Sequence, residues 1–252
     1  MRRKIVESRT EAQRAISAGL VRVGTNTEPK ASTLVSADES LHLASLPEPF
    51  VSRAGRKLAA ALISFPVEIA GARAMDVGAS TGGFTDCLLQ NGARHVTAVD
   101  VGYGQMHWRI RNEARVEVIE RVNIRKSSPD DFGDPFDLVV ADLSFISLRV
   151  VSGVLASLGT DQADWLLLIK PQFEAGRDGV CKGGIVRDVT VRRNAVREVL
   201  EHFAQIPLGC RGLIESPITG ATGNIEYVAW FQRGSDGVDV DELIASAEGR
   251  ST

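Results

Sequence analysis

The stretch Ala74-Met75-Asp76-Val77-Gly78-Ala79-Ser80-Thr81-Gly82-Gly83-Phe84-Thr85 constrains this chain more than any other. A short apolar strand runs into a glycine-rich turn, and the turn opens a helix expected over 83–91 and closed by Gly92. Glycine lets a backbone turn sharply and come close to a ligand. The unpaired N–H groups at the start of the helix favour a carboxylate or a phosphate. Further on, Asp100 ends a second apolar run, 95–100. A carboxylate there can accept hydrogen bonds from ribose hydroxyls.

The rest of the second half keeps alternating between strand and helix patterns. Strands are predicted over 116–119, 136–142, 165–170, 210–215 and 224–232, and helices over 55–65 and 190–204. The runs Leu138-Val139-Val140-Ala141 and Trp165-Leu166-Leu167-Leu168-Ile169 are nearly all apolar, as in strands covered on both faces. The pattern predicts a doubly wound α/β domain on a mostly parallel, seven-stranded sheet.

Two ligands suit such a turn. A dinucleotide site would read Gly-x-Gly-x-x-Gly. Here the spacing is Gly78-x-x-x-Gly82-Gly83, with Asp76 ahead of the turn. An acid that can pair an amino group, and no cradle for a pyrophosphate, look more like an S-adenosylmethionine site than a NAD site. A NAD-dependent oxidoreductase stays open as the alternative.

The chain divides near residue 50, where Leu46-Pro47-Glu48-Pro49-Phe50 reads as an extended linker. Ahead of it, Ser8 with Glu11 forms a capping-box pattern for a helix over 10–18 that stops at Gly19. Short strands are expected over 20–23, 34–35 and 40–43. The expected organisation is a small α/β module over 1–46, a linker over 47–51, the main domain over 52–233 and an acidic tail over 234–252.

The net charge of −3 would argue against nucleic acid, but its distribution matters more than its sum. The tail alone carries −4, while residues 1–30 and residues 170–197 each carry a surplus of +4. No apolar run reaches the roughly 18–20 residues of a membrane span, and the basic start Met1-Arg2-Arg3-Lys4 leads into no apolar segment. The cysteines Cys87, Cys181 and Cys210 have no metal-type spacing and fit a reducing cytoplasm, so neither a metal site nor a disulfide scaffold is expected.

Charged residues border the apolar runs. Asp142 follows one and Lys170 another, Glu226 sits in Asn224-Ile225-Glu226-Tyr227, and Lys57 precedes the first strand of the domain. Charge beside a buried strand is costly unless paired, and ligands of open α/β sheets sit at the strands' carboxyl ends.

Taken together, these segments resemble the TlyA family of ribosomal RNA ribose 2′-O-methyltransferases, also known as haemolysin-like proteins. The resemblance rests on 51–58 (VSRAGRKL), 76–87 (DVGASTGGFTDC), 98–105 (AVDVGYGQ), 142–147 (DLSFIS), 170–175 (KPQFEA), 182–188 (KGGIVRD) and 216–226 (SPITGATGNIE). It implies a Rossmann-like, FtsJ-type catalytic domain dependent on S-adenosylmethionine, with a Lys-Asp-Lys-Glu tetrad at Lys57, Asp142, Lys170 and Glu226. Lys170 is then the base for a ribose hydroxyl. An isolated lysine amine has a pKa near about 10.4, and burial beside a second cation, Lys57, is expected to favour its neutral form.

The same resemblance places Asp76 at the methionine amino group and Gly78, Ser80, Thr81, Gly82, Gly83 and Phe84 along the turn. Asp100 falls at the cofactor ribose, Asn123 near the adenine, and Asp142 borders the cofactor as well. The N-terminal module resembles an S4 RNA-binding domain. RNA contacts are expected from Arg3, Lys4, Arg9, Arg14 and Arg22 there, and from Arg53, Lys182 and Arg187 in the main domain. The implied partner is ribosomal RNA or a ribosomal subunit, met by a cytoplasmic monomer without metal or membrane. The family's other name keeps a membrane-active haemolysin as a second alternative, although no segment joins a large apolar face to a basic one.

Overall fold

The computed structural model describes residue 5 and residues 9–17, 19–44, 48–176, 178–234 and 238–249. It divides into two compact units, Met1–Pro49 and Phe50–Thr252.

The first unit has a helix α1 (Arg9–Ser17) and two strands, β1 (Val21–Val23) and β2 (Leu41–Leu43). α1 closes as its glycine suggests, with Gly19 N–H donating to Ile16 O and Leu20 N–H to Ala15 O. β1 and β2 pair antiparallel, with Arg22 opposite His42. The strand expected over 34–35 does not form. Two apolar residues among serines and threonines have no face to bury, and Leu34 stands 95% exposed. The expected cap Ser8 and the expected RNA contacts Arg3 and Lys4 lie outside the described residues, while Arg9 and Arg14 belong to α1 and Arg22 is exposed on β1.

The second unit begins with α2 (Ala54–Ser64), β3 (Arg73–Val77), α3 (Gly83–Gln90), β4 (His95–Asp100), α4 (Trp108–Arg111) and β5 (Val116–Glu120). It continues with β6 (Phe136–Ala141), α5 (Leu148–Leu158), β7 (Gly159–Ile169), α6 (Pro171–Glu174), α7 (Val189–Gln205), β8 (Leu208–Glu215), β9 (Tyr227–Arg233) and α8 (Val240–Gly249). The seven strands lie in the order β5-β4-β3-β6-β7-β9-β8. β3 to β7 run parallel, and β9 is antiparallel to both β7 and β8.

Strand side chains alternate between two covered faces, as a period of two requires. Met75, Val139, Ala141, Trp165, Leu167 and Phe231 join one apolar cluster. Their neighbours Ala74, Leu138, Val140, Leu166, Leu168 and Trp230 join the other. The expected seven-stranded, doubly wound sheet is therefore what the chain builds.

Three expectations need correction. Helix α5 was not anticipated, although Val151, Leu155 and Leu158 recur at helical spacing and are buried. The linker is shorter than 47–51. Phe50 and Val51 already belong to the second unit, where Val51 N–H donates to Asp86 Oδ2 at 2.8 Å. The acidic tail is no separate appendage, because α8 buries Leu243, Ile244 and Ala247 in the first cluster. Its carboxylates answer α7: Arg193 pairs with Glu248 and Arg197 with Asp241. Part of the positive surplus over 170–197 is thus held by the protein's own acids.

Candidate active site

Parallel β3, β4, β6 and β7 deliver their carboxyl ends to one edge of the sheet, at Val77, Asp100, Ala141 and Ile169. β9 runs the other way, with Tyr227 opposite Ile169. Its amino end therefore reaches the same edge, so Glu226, just ahead of β9, and Lys170, just after β7, both lie there. From β3 the chain first builds outward through β4 and β5, then returns to place β6 on the other side. That reversal is the switch point where open sheets hold ligands.

A cleft of about 460 Å³ opens there, lined by Gly78, Ser80, Asp100, Gln105, Asn123 and Asp142 among others. Gly78 is required twice over. Its φ is +85°, and a Cβ would stand 2.7 Å from Asp142 O. The next loop packs directly on this turn, so the cleft floor is backbone. Asp100 shapes the rim by accepting from Ser80 N–H at 2.8 Å and from Gly102 N–H at 2.6 Å. Its first bond holds Ser80 in the left-handed region, φ +48°, a conformation a serine adopts only when its surroundings impose it. Asn123 lines the cleft while its Oδ1 accepts from Arg125 N–H at 3.1 Å.

A smaller cavity of about 150 Å³ is bounded by Asp76, Gly78, Ser80, Thr81, Phe84, Asp142, Ser144 and Lys170. Asp76 is fully buried. One of its oxygens accepts from Thr85 Oγ at 2.6 Å, and the other, Oδ1, has no partner. Burial raises its pKa to about 7, against the Thr85 bond and with help from the nearby carboxylates Asp142 and Asp100.

Beyond this cavity the four charged residues form one row. Glu226 Oε2 and Lys57 Nζ are 2.5 Å apart, Lys57 Nζ and Asp142 Oδ2 are 4.0 Å apart, and Lys170 Nζ and Asp142 Oδ1 are 2.6 Å apart. Gln172 Nε2 also donates to Glu226 Oε1 at 3.3 Å. Lys57, Lys170 and Glu226 are buried. All four sequence-predicted residues come together, but the expected neighbourhood of the lysines is corrected: Asp142 stands between Lys57 and Lys170. Two cations and two anions alternate, so the row is neutral as a whole.

Gly82 and Gly83 line neither cavity. Gly82 caps α3 at φ +92° with Met106 and Ile110 of the α4 region against it, whereas a Cβ on Gly83 would strike Ser52 Oγ at 2.3 Å and Gly55 N at 2.9 Å, so Gly83 serves the packing of α2 against α3. That packing brings Lys57 to the edge. Arg53, Lys182 and Arg187 are exposed on the second unit.

Residues that sequence reasoning missed sit in the loop from Asp142 to Ser147. Ser144 Oγ accepts from Lys170 Nζ at 2.8 Å. Phe145 is 92% exposed at φ +64°, with its ring 5.2 Å from that of Phe173. Glu174, buried four residues after Lys170, clamps the loop. It accepts from Ser147 Oγ at 2.5 Å and from Leu148 N–H at 2.8 Å, and Arg149 approaches it at 3.4 Å. A buried glutamate just after a candidate base was the available signal.

Comparison with known proteins gives a consistent result. A family model described as FtsJ-like methyltransferase matches residues 50–233. The chain is 43% identical over 237 residues to the 16S/23S rRNA (cytidine-2′-O)-methyltransferase TlyA of Mycobacterium tuberculosis, covering 94% of this chain and 88% of that one. It is 39% identical over 227 residues to Hemolysin A of Brachyspira hyodysenteriae, covering 89% and 94%. A solved structure of a Streptococcus thermophilus protein named as a hemolysin shares the fold with a TM-score of 0.75 and 36% identity, over 97% of this chain and 92% of that one.

Proposed function

The chain belongs to the FtsJ-like methyltransferase family, and from that premise we infer that it methylates the ribose 2′-hydroxyl of a cytidine in ribosomal RNA. The observation that carries the reading is the meeting, at one sheet edge, of a cofactor-sized cleft and the row Glu226–Lys57–Asp142–Lys170. The named activity of the Mycobacterium tuberculosis relative supports the substrate.

The residues present fit S-adenosylmethionine. Asp76 offers a buried, unpartnered carboxylate oxygen to an ammonium group, and Gly78 keeps the floor open where a Cβ would fill it. Asp100 would take the ribose hydroxyls, and the Val122–Ile124 wall with Asn123 would flank the adenine. Bound there, S-adenosylmethionine supplies an electrophilic methyl group on a sulfonium.

The protein's own groups supply the rest. Lys170 Nζ, as the amine, accepts the proton of the 2′-hydroxyl while that oxygen becomes bonded to carbon, help worth on the order of 10²–10⁴-fold. Asp142 fixes Lys170 and holds the ammonium that results. Glu226 and Lys57 fix the far side of Asp142. With Lys170 as the amine the row holds one cation, Lys57, and two anions, Asp142 and Glu226, so it does not repel a cationic donor. Phe145 presents an exposed ring on which the target base can stack outside its helix. The N-terminal unit, through Arg22 and the basic residues before it, and Arg53, Lys182 and Arg187 on the catalytic unit would bind phosphates, which gives affinity and register but no sequence reading. Among the described residues no helix is long and apolar enough to cross a membrane.

The deciding experiment maps methylated riboses in ribosomes from a deletion strain against its parent, and repeats the transfer with purified protein and labelled donor. A 2′-O-methylcytidine that vanishes in the strain and returns in vitro is the expected result. Methyl groups on a base, or none on RNA, would overturn the reading.

A further inference from the structure

We propose that Ser144 is a positioning residue for the transfer, whose hydroxyl aims the lone pair of Lys170 at the incoming ribose hydroxyl. The inference rests on Lys170 as proton acceptor and goes one step further. Ser144 Oγ accepts a hydrogen bond from Lys170 Nζ at 2.8 Å. Asp142 Oδ1 stands 2.6 Å from Nζ as an ion-pair partner, outside hydrogen-bond geometry. Ser144 is therefore the acceptor that fixes how the amine is turned about its C–N bond. With one N–H held there, the lone pair can face the small cavity that Lys170 lines with Asp76, Gly78, Phe84 and Ser144 itself. Without that acceptor, the amine could turn and present an N–H to the substrate instead.

The loop is built to hold Ser144 in place. Its neighbour Phe145 is held at φ +64°, and Glu174 ties the loop's end to the segment carrying Lys170. In the step itself, the 2′-hydroxyl proton passes to Nζ and the amine becomes an ammonium. The oxygen pair forms the bond to the donor's methyl carbon as that carbon's bond to sulfur breaks, the pair of the broken bond staying on the neutral thioether that leaves. The ammonium then keeps Ser144 Oγ as its acceptor, with Asp142 beside it. The charged groups around Lys170 are Asp142 after β6, Asp76 on β3, and Lys57 on α2 with Glu226 behind it. Phe173, from α6, places its ring 5.9 Å from Nζ.

The test compares full-length Ser144→Ala, Ser144→Thr and Lys170→Ala in single-turnover transfer to ribosomal substrate, from about pH 6 to 9.5 around the lysine range. Calorimetry with S-adenosylhomocysteine and thermal unfolding accompany it. Ser144→Ala should slow transfer roughly 10–100-fold with inhibitor affinity and unfolding temperature unchanged. Its pH–rate profile should also differ from that of the unaltered protein, because the lost hydrogen bond is one made by the group that takes the proton. Ser144→Thr, which keeps the hydroxyl, should recover most of the rate. Wild-type behaviour of Ser144→Ala beside an inactive Lys170→Ala would overturn the role of Ser144 alone. Slow transfer with an unmoved pH profile and no rescue by threonine would overturn it too. An active Lys170→Ala would overturn the assignment of the base, and this inference with it.

Discussion

The two halves of the site are built by opposite means. The cofactor cleft is made largely of backbone: the Gly78 turn, the Ser80 and Gly102 N–H groups held by Asp100, and the loop carbonyl of Asp142 against Gly78. The tetrad is made of side chains, and its hydrogen-bonded pair, Lys57 and Glu226, is 169 positions apart in sequence. The cleft keeps one buried carboxylate oxygen without a partner, whereas every charge in the row has an opposite charge beside it. A binding half with an unmatched charge selects a cation. A catalytic half whose charges stand side by side in pairs is left to handle the one proton that must move.

That contrast can be broken at several points. The largest effect should come from Lys170→Ala: transfer falls on the order of 10²–10⁴-fold, while calorimetry finds donor affinity unchanged. Loss of both together would mean the halves are not separable. Asp100→Ala should do the converse. Donor binding weakens by roughly 1–3 kcal/mol, the range for leaving ligand hydroxyls unpaired in a buried site, and the rate at saturating donor survives. Full affinity in that variant would show that the carboxylate serves only Ser80 and Gly102.

Removal of the first unit should spare the donor site. A fragment of 50–252 keeps Phe50, Val51 and α8 within one compact unit. It should bind donor as the whole chain does, yet methylate limiting ribosomal substrate roughly 10–50-fold more slowly as phosphate contacts are lost. A fragment of 52–233 is the wrong choice, because it uncovers the core under Leu243 and Ile244. The smallest effect concerns pH. The Asp76 pKa, raised to about 7 by burial, means the free protein is protonated there below neutrality, while binding an ammonium requires the carboxylate. Donor affinity should therefore fall as pH falls, about tenfold between roughly pH 8 and 6, and Asp76→Asn should bind weakly with no such slope. A flat profile for the unaltered protein would show that Asp76 does not meet the donor's ammonium.

Much of this was legible in the residues. Apolar runs ending in Asp142 and Lys170 disclosed both the strands and two adjoining members of the row, because charge beside a buried strand is tolerated only with a partner. Glu226 was found by resemblance and placed by the antiparallel turn of β9, which periodicity alone does not specify. What stayed hidden was pairing at a distance. The charge surplus over 170–197 included Arg193 and Arg197, and only the fold brings Glu248 and Asp241 to them. The same five acids of the tail masked the apolar stripe Leu243, Ile244 and Ala247, so a core helix read as a solvated end. At Gly82 and Gly83 a close packing contact and a ligand cradle ask for the same small residue, and the sequence does not show the contacts with Met106 and Ser52.

The placement of Glu226 and α8 near the end of the chain has a consequence for synthesis. A growing chain emerges amino end first, so the cleft residues, complete by Ile146, are available long before the row can close. Until β9 and α8 are released, a nascent chain lacks Glu226 beside Lys57 and lacks the cover over its sheet. The donor cleft and the catalytic row are thus completed one after the other, in that order along the sequence.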